Sequence, residues 1–198
     1  MTGKKKNSHI FARAGNDWHV EPQWVSDALF RSEPFDGPIW DPACGQGNVL
    51  EAARRAGHAV IGHDIVERSN AYGVADFFSA GLSEMSHAAN IVTNPPFGRG
   101  AAAESFIRHA LALKPRKLAV FVNCRFLFGA KRNSSLFLKI RPARVRLLVP
   151  RPSCPPGEFL PAGNKAGGGE ADYCWIIWEF PHLNPSTAIS WLQKYGTP

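Results

Sequence analysis

The sequence predicts a doubly wound α/β domain: a seven-stranded, mainly parallel sheet with one antiparallel strand and helices on its faces. Three observations carry this. Short apolar runs alternate with stretches of helical spacing, the order of a sheet built from strand–helix–strand units. One run, Leu118-Ala119-Val120-Phe121-Val122, is apolar without interruption, as a strand covered on both faces should be. The last two strand-like runs, 145–149 and 173–178, have no full helix between them, so one of the pair runs antiparallel.

In chain order, residues 1–16 read as a basic tail carrying Lys4, Lys5, Lys6 and Arg13. From 21 to 31, Trp24, Val25, Ala28 and Leu29 fall on one helical face, with Pro22 suited to the first turn. Pro38-Ile39-Trp40-Asp41 is the first strand. A helix follows with Val49, Ala52, Ala53 and Ala56 on one face and Gly57 as its stop. The second strand, 59–64, ends in Asp64. A weaker third signal covers 72–78, and the fourth strand is Asn90-Ile91-Val92-Thr93. A helix over 102–113 turns Phe106, Ile107, Ala110 and Leu111 inward. The fifth strand is the run at 118–122, followed by a basic, partly helical stretch over 126–140. A Pro/Gly-rich loop of about twenty residues separates the sixth and seventh strands, a length that marks a loop as either functional or mobile. Residues 183–198 read as a tail or short helix.

At 198 residues the chain suits one domain with a substantial core, and 44% hydrophobic with 20% charged residues fits a globular protein. A net charge of +7 favours polyanionic partners, nucleic acid above all. The cysteines (Cys44, Cys124, Cys154, Cys174) are scattered without a CxxC pair. That disfavours structural zinc and a disulfide framework, so no metal is expected, and a reducing cytoplasm is the expected compartment. The amino terminus lacks the apolar core of a secretory signal, and no apolar run reaches membrane-spanning length.

In a doubly wound sheet, ligands sit at the carboxyl ends of the strands near the switch in strand order. Asp41-Pro42-Ala43-Cys44-Gly45-Gln46-Gly47 lies there after the first strand, with Gly45 and Gly47 giving a bare turn that a cofactor can approach. Leu50 stands where a dinucleotide fingerprint would have its third glycine, which argues against NAD and FAD. Asp64, 17 residues after Gly47 and followed by Ile65, is placed to accept bonds from ribose hydroxyls. Asp76 with Phe77 is suited to reading an adenine by its amine and its face. Asn94-Pro95-Pro96-Phe97 closes the fourth strand. Its two prolines prevent ladder bonding and keep main-chain carbonyls free, while the Asn94 amide and the Phe97 ring suit a planar amine held against an aromatic face.

Taken in order, DPACGQGN, HDI, ADFF and NPPF resemble the motifs of S-adenosylmethionine-dependent amino-methyltransferases acting on DNA. The closer resemblance is to the short N6-adenine methyltransferases of phages and prophages, from about residue 18 to 178. It includes the CRFLFGAKR stretch and the late ADYCWIIWEF strand. The resemblance implies a Rossmann-like class I methyltransferase fold over 17–182, in a bacterial or phage-infected cell. It implies S-adenosylmethionine held by His19, Asp41, Pro42, Ala43, Cys44, Gly45, Gly47, Asp64, Ile65, Asp76, Phe77 and Asn94. Relatives commonly carry Thr-Pro before the first strand, where this chain has Glu21-Pro22.

The implied chemistry is methyl transfer to the N6 amine of adenine in DNA. Asn94 and the Pro95 carbonyl would accept the two amine N–H bonds, and Phe97 would stack on the extruded base. Other members with similar motifs methylate an RNA base or a protein glutamine; an inactive, cofactor-binding subunit is the reading from another class. The basic residues Arg125, Lys131, Arg132, Lys139, Arg141, Arg144, Arg146 and Arg151 are expected to form a phosphate-contacting rim.

Overall fold

The computed structural model describes residues 18–69, 71–79, 89–157, 169, 171–181 and 186–194. The expected basic tail lies outside them, as does most of the loop between the last two expected strands.

Eight strands form one sheet. They are β1 (Ile39–Asp41), β2 (Val60–Asp64), β3 (Gly73–Val74), β4 (Asn90–Thr93), β5 (Lys117–Asn123), β6 (Arg144–Val149), β7 (Tyr173–Glu179) and β8 (Ala188–Gln193). Their spatial order is β3-β2-β1-β4-β5-β7-β6-β8. Neighbouring pairs are parallel except where β7 meets β5 and β6, so the predicted single antiparallel strand is β7. The third-strand signal survives only as two residues, because Phe77–Ser79 closes into a 3-10 turn.

Strand β8 corrects the sequence reading of 183–198 as a tail or short helix and of seven strands in all. It pairs in parallel with β6 along six residues. Its period-2 pattern is easy to miss because Ile189 and Trp191 stay 60% and 65% exposed while only Leu192 is buried. An edge strand covered on one face carries a weaker signal than a central one.

The strand residues of β5 sort to two cores by alternation. Leu118, Val120 and Val122 face α3 (Ala101–Ala112), whose Phe106, Ile107, Ala110 and Leu111 bury against them. Ala119 and Phe121 face α1 (Gln23–Ser32) and α2 (Asn48–Arg55) through Val25, Leu29, Val49 and Ala53. Residues on both faces of a strand are thus buried at a separation of one, which is why β5 reads as an unbroken apolar run.

On the α1 side the core closes on a buried charge cluster. Glu33 receives Lys117 at 2.7 Å, Arg144 at 2.6 Å and Arg146 at 3.1 Å. Burial alone would raise the Glu33 carboxyl, but the bonds from Lys117 and Arg144 outweigh it and hold it below the usual range. Arg144 and Arg146 therefore do not belong to a nucleic-acid rim. Alternation along β6 puts both on the face that covers Glu33, where an unpaired buried carboxylate would be costly. Among the described residues no helix is long and apolar enough to cross a membrane.

Candidate active site

Strands β1, β2 and β4 end side by side, and the chain reverses its direction of winding between β1 and β4. This switch point opens a cleft at the carboxyl edge of the sheet. It is lined by every site residue expected from the sequence except Gly47. Residues that the sequence reading had not assigned to the site also line it, among them Trp18, Glu21, Arg68 and Phe78, and Tyr173 stands beside Phe97.

The turn after β1 is fixed from three sides. Asp41 accepts from the Ala43 N–H at 3.1 Å. The Cys44 N–H reaches the His63 carbonyl on β2 at 2.9 Å, and the Gly45 N–H reaches the Asp64 carboxylate at the same distance. Asp64 also accepts from the Val66 N–H at 3.1 Å and faces Arg68. Gly45 adopts φ 54°, a left-handed conformation that favours glycine, and a side chain there would crowd Trp18 at 3.0 Å.

Gly47 is outside the cleft. Its φ is 94°, it caps α2, and a Cβ would fall 2.5 Å from the Tyr72 ring. Backbone geometry and Tyr72 both require a glycine here.

Phe77 is 5% exposed and belongs mainly to the core, its ring 4.1 Å from Phe106 and 4.7 Å from His109. It forms the floor of the cleft, whereas Phe78, 53% exposed, presents the accessible ring beside it. Asp76 shapes this corner by accepting from the Phe78 N–H at 3.0 Å.

The cleft is acidic and largely desolvated. Burial pushes the Asp41 carboxyl up to about 8, against the pull of the Ala43 N–H bond, and Glu21 and Asp64 push it the same way. Burial likewise pushes Glu21 up to about 7. A cluster of this kind is suited to a cation.

At the end of β4 the Asn94 side chain is held by its nitrogen. Nδ2 donates to Glu21 Oε2 at 2.7 Å and to the His19 carbonyl at 3.1 Å. Both partners accept, so the amide orientation is determined by its bonds. Oδ1 is buried with no hydrogen-bond partner among the described residues. Phe97 stands beside it, with His19 at 5.9 Å and Tyr173 at 6.2 Å between ring centroids.

The segment carrying His19 and Glu21 is itself tied down. Val20 N–H bonds the Pro155 carbonyl at 3.0 Å, Gly157 N–H bonds the Trp18 carbonyl at 2.9 Å, and Asn48 Nδ2 bonds the Glu21 carbonyl at 2.8 Å. The Arg68 guanidinium stacks over Trp18, 4.2 Å from its ring.

No family model matches the chain, and no curated protein matches it in sequence. Among solved structures it is similar to a candidate RNA methyltransferase from Pyrococcus horikoshii, at 14% identity and a TM-score of 0.52, over 77% of this chain and 79% of that one. It is similar to a protein of echinomycin biosynthesis that converts a disulfide bond into a thioacetal group, at 14% identity and a TM-score of 0.54, over 81% and 83%. The N2-guanine 16S rRNA methyltransferase RsmC of T. thermophilus, solved with S-adenosylmethionine and guanosine, aligns at 14% identity and a TM-score of 0.50, over 89% of this chain and 49% of that one. The fold is the Rossmann-like class I methyltransferase fold.

Proposed function

We propose that the chain transfers a methyl group from S-adenosylmethionine to the N6 amine of adenine in DNA. The observation that carries this reading is the Asn94 amide. Its nitrogen is bound by two acceptors, and its Oδ1 is a buried acceptor with no partner among the described residues, on a side chain that lines the cleft. A buried acceptor without a donor costs free energy, and the amine of a substrate base would satisfy it.

The residues present fit the cofactor. Glu21, Asp41 and Asp64 supply an acidic lining for a cation, Gly45 leaves a bare turn, and Phe77 with Phe78 offers aromatic surface. When bound, S-adenosylmethionine supplies a sulfonium methyl: the amine nitrogen forms the new N–C bond, the C–S electron pair stays with sulfur, and the nitrogen releases a proton. The protein's work is orientation. Asn94 Oδ1 and the Pro95 carbonyl accept the two amine N–H bonds and draw the nitrogen lone pair out of conjugation with the ring. Phe97 stacks on the base, with Tyr173 at its edge. Holding the reactants in line can supply several kcal/mol or more of the acceleration.

The rim beside this site suits nucleic acid. Past the carboxyl end of β5, Phe128 is 81% exposed between the exposed Arg125 and Lys131. Arg132 holds this segment to the Asn94–Gly100 side by bonding the Phe126 carbonyl at 2.6 Å and the Gly100 carbonyl at 3.5 Å. Exposed rings flanked by cations are how proteins grip bases and phosphates. The acceptor need not lie in DNA: RNA methyltransferases share this fold, which makes an RNA amine the second reading. Transfer of radiolabel from S-adenosylmethionine to DNA, RNA or protein separates them. Label in DNA recovered as N6-methyladenine is expected; label only in RNA or protein would overturn the DNA reading, and label in none would overturn methyl transfer to these acceptors.

A further inference from the structure

The Glu21–Asn94 contact deepens this reading and rests on it. Glu21 is 4% exposed. Its Oε2 lies 2.7 Å from Asn94 Nδ2. Its main chain is anchored independently, by Asn48 Nδ2 on the Glu21 carbonyl and by the neighbouring bond between Val20 and Pro155. The backbone that carries the carboxylate is therefore held in place whether or not Asn94 is present. We infer that Glu21 is a positioning residue that locks the Asn94 amide with Oδ1 toward the substrate amine and, when ionised, polarises it into a stronger acceptor.

The physical argument is short. An amide is conjugated, so negative charge placed against its N–H₂ increases the negative charge on its oxygen. A charged hydrogen bond is roughly twice as strong as a neutral one, and in a desolvated cleft that polarisation is poorly screened. The amide cannot itself accept the amine's proton, so its contribution to the reaction depends on how well Oδ1 accepts. A Thr in place of Glu21 could hold the amide but could not charge it. Ionisation of Glu21 thus sets two states of Asn94, a weakly and a strongly accepting one.

The same geometry places this switch near neutrality. Burial pushes Glu21 up to about 7, against the pull of its own backbone bond and of Asn94. The groups around it are Asp41 at the end of β1, His19 on its own segment, and Cys154 on the loop after β6; Cys154 is bonded in turn to Tyr173 of β7. Asp64 of β2 acts on Asp41. Burial and then Glu21 keep the Cys154 thiol well above its ordinary value, so it stays protonated. Asp41, raised to about 8, is the neighbour whose titration must be separated from that of Glu21.

The test uses the full chain and has a readout that does not depend on turnover. The Asn94 side-chain N–H₂ resonances, assigned by their loss in Asn94→Asp, are followed by NMR from pH 5.5 to 9 in the parent, Glu21→Gln and Asp41→Asn. The expected result is a titration with a midpoint near 7 in the parent, kept in Asp41→Asn and absent from Glu21→Gln, which retains an acceptor without the charge. The same midpoint in Glu21→Gln would overturn the inference. In single-turnover methylation, the parent rate should rise with pH through a midpoint below that of the unliganded protein, because the bound cofactor cation favours the ionised carboxylate. At saturating cofactor and DNA, Glu21→Gln should lose this rise and be about tenfold slower at pH 8. A parent-like pH profile in Glu21→Gln would again overturn it. If no acceptor is methylated at all, the functional reading fails, while the NMR titration still decides the role of Glu21.

Discussion

The Asp64 carboxylate accepts a hydrogen bond from the Gly45 main-chain N–H at 2.9 Å, which ties the end of β2 to the turn after β1. This one bond aligns two strand ends that together form a wall of the cleft. A carboxylate has about four acceptor sites, and those not taken by Gly45 and Val66 remain for ribose hydroxyls.

Asp64→Ala should therefore lower affinity for S-adenosylmethionine. Bonds to a charged acceptor contribute about 1.5–3 kcal/mol, which corresponds to roughly ten- to hundredfold. Calorimetry on a variant shown to be folded checks this. Unchanged affinity would remove Asp64 from the cofactor site.

Gly47 should behave in the opposite way. Its φ of 94° and the nearby Tyr72 ring make any side chain a burden on the fold. Left-handed backbone costs a non-glycine residue about 1–2 kcal/mol, and for a chain of this size each kcal/mol lowers Tm by about 2–4 °C. Gly47→Ala is expected to melt several degrees lower while the surviving folded protein binds cofactor with near-parental affinity. A variant that melts normally yet loses cofactor would return Gly47 to the binding surface.

The contrast between these glycines marks how far the sequence could be read. Its strand ends, Asp41, Asp64 and Asn94, were legible because a polar residue closing an apolar run in a doubly wound sheet lies at the ligand edge. That one of the strands at 145–149 and 173–178 runs antiparallel was legible from the missing crossover helix. Gly45 and Gly47 look alike in sequence, and only the path of Tyr72 separates them. Glu21 was visible as a departure from Thr-Pro, but its contact with Asn94 spans 73 positions and has no local signature. Arg144 and Arg146 read as surface charge because Glu33, their partner, lies 111 and 113 residues away. Arg132 was likewise absorbed, by Glu104, whereas Arg151 stays exposed beside Asp172.

With those arginines accounted for, nucleic-acid binding should depend on a short stretch past β5. Phe128→Ala is expected to weaken binding of single-stranded or base-extruded DNA by about 1–3 kcal/mol, the contribution of stacking one base, and to leave the salt dependence unchanged. Arg125→Ala and Lys131→Ala should each reduce the slope of log K against log salt by up to about one. Anisotropy titrations at several salt concentrations distinguish the two effects. Parental binding in all three variants would move the interface elsewhere.

Stability of the unliganded protein should fall as the medium becomes alkaline, and the sign follows from two buried carboxyls. Free aspartate and glutamate lose their protons near pH 4. In the folded chain burial raises Glu21 to about 7 and Asp41 to about 8. Between these limits the folded state holds protons that the unfolded state has released, so the folded state loses stability as pH rises. The contribution is fully present below pH 4 and is lost by the time pH passes 8. Glu33 acts in the opposite sense but in a separate window, because its carboxyl is held below the usual range and its contribution is lost only in acid. A bound cation would favour the ionised forms of Glu21 and Asp41. Adding S-adenosylmethionine should therefore raise Tm more at pH 8 than at pH 6, with proton release that calorimetry detects as a dependence on buffer ionisation enthalpy. Asp41→Asn keeps an oxygen for the Ala43 N–H and removes one titration. It should flatten the decline in Tm above pH 7 and halve the proton release. A parent Tm that climbs between pH 6 and 8 would show that these carboxyls are ionised in the unliganded protein, and the cleft would then owe its fit for a cation to standing charge.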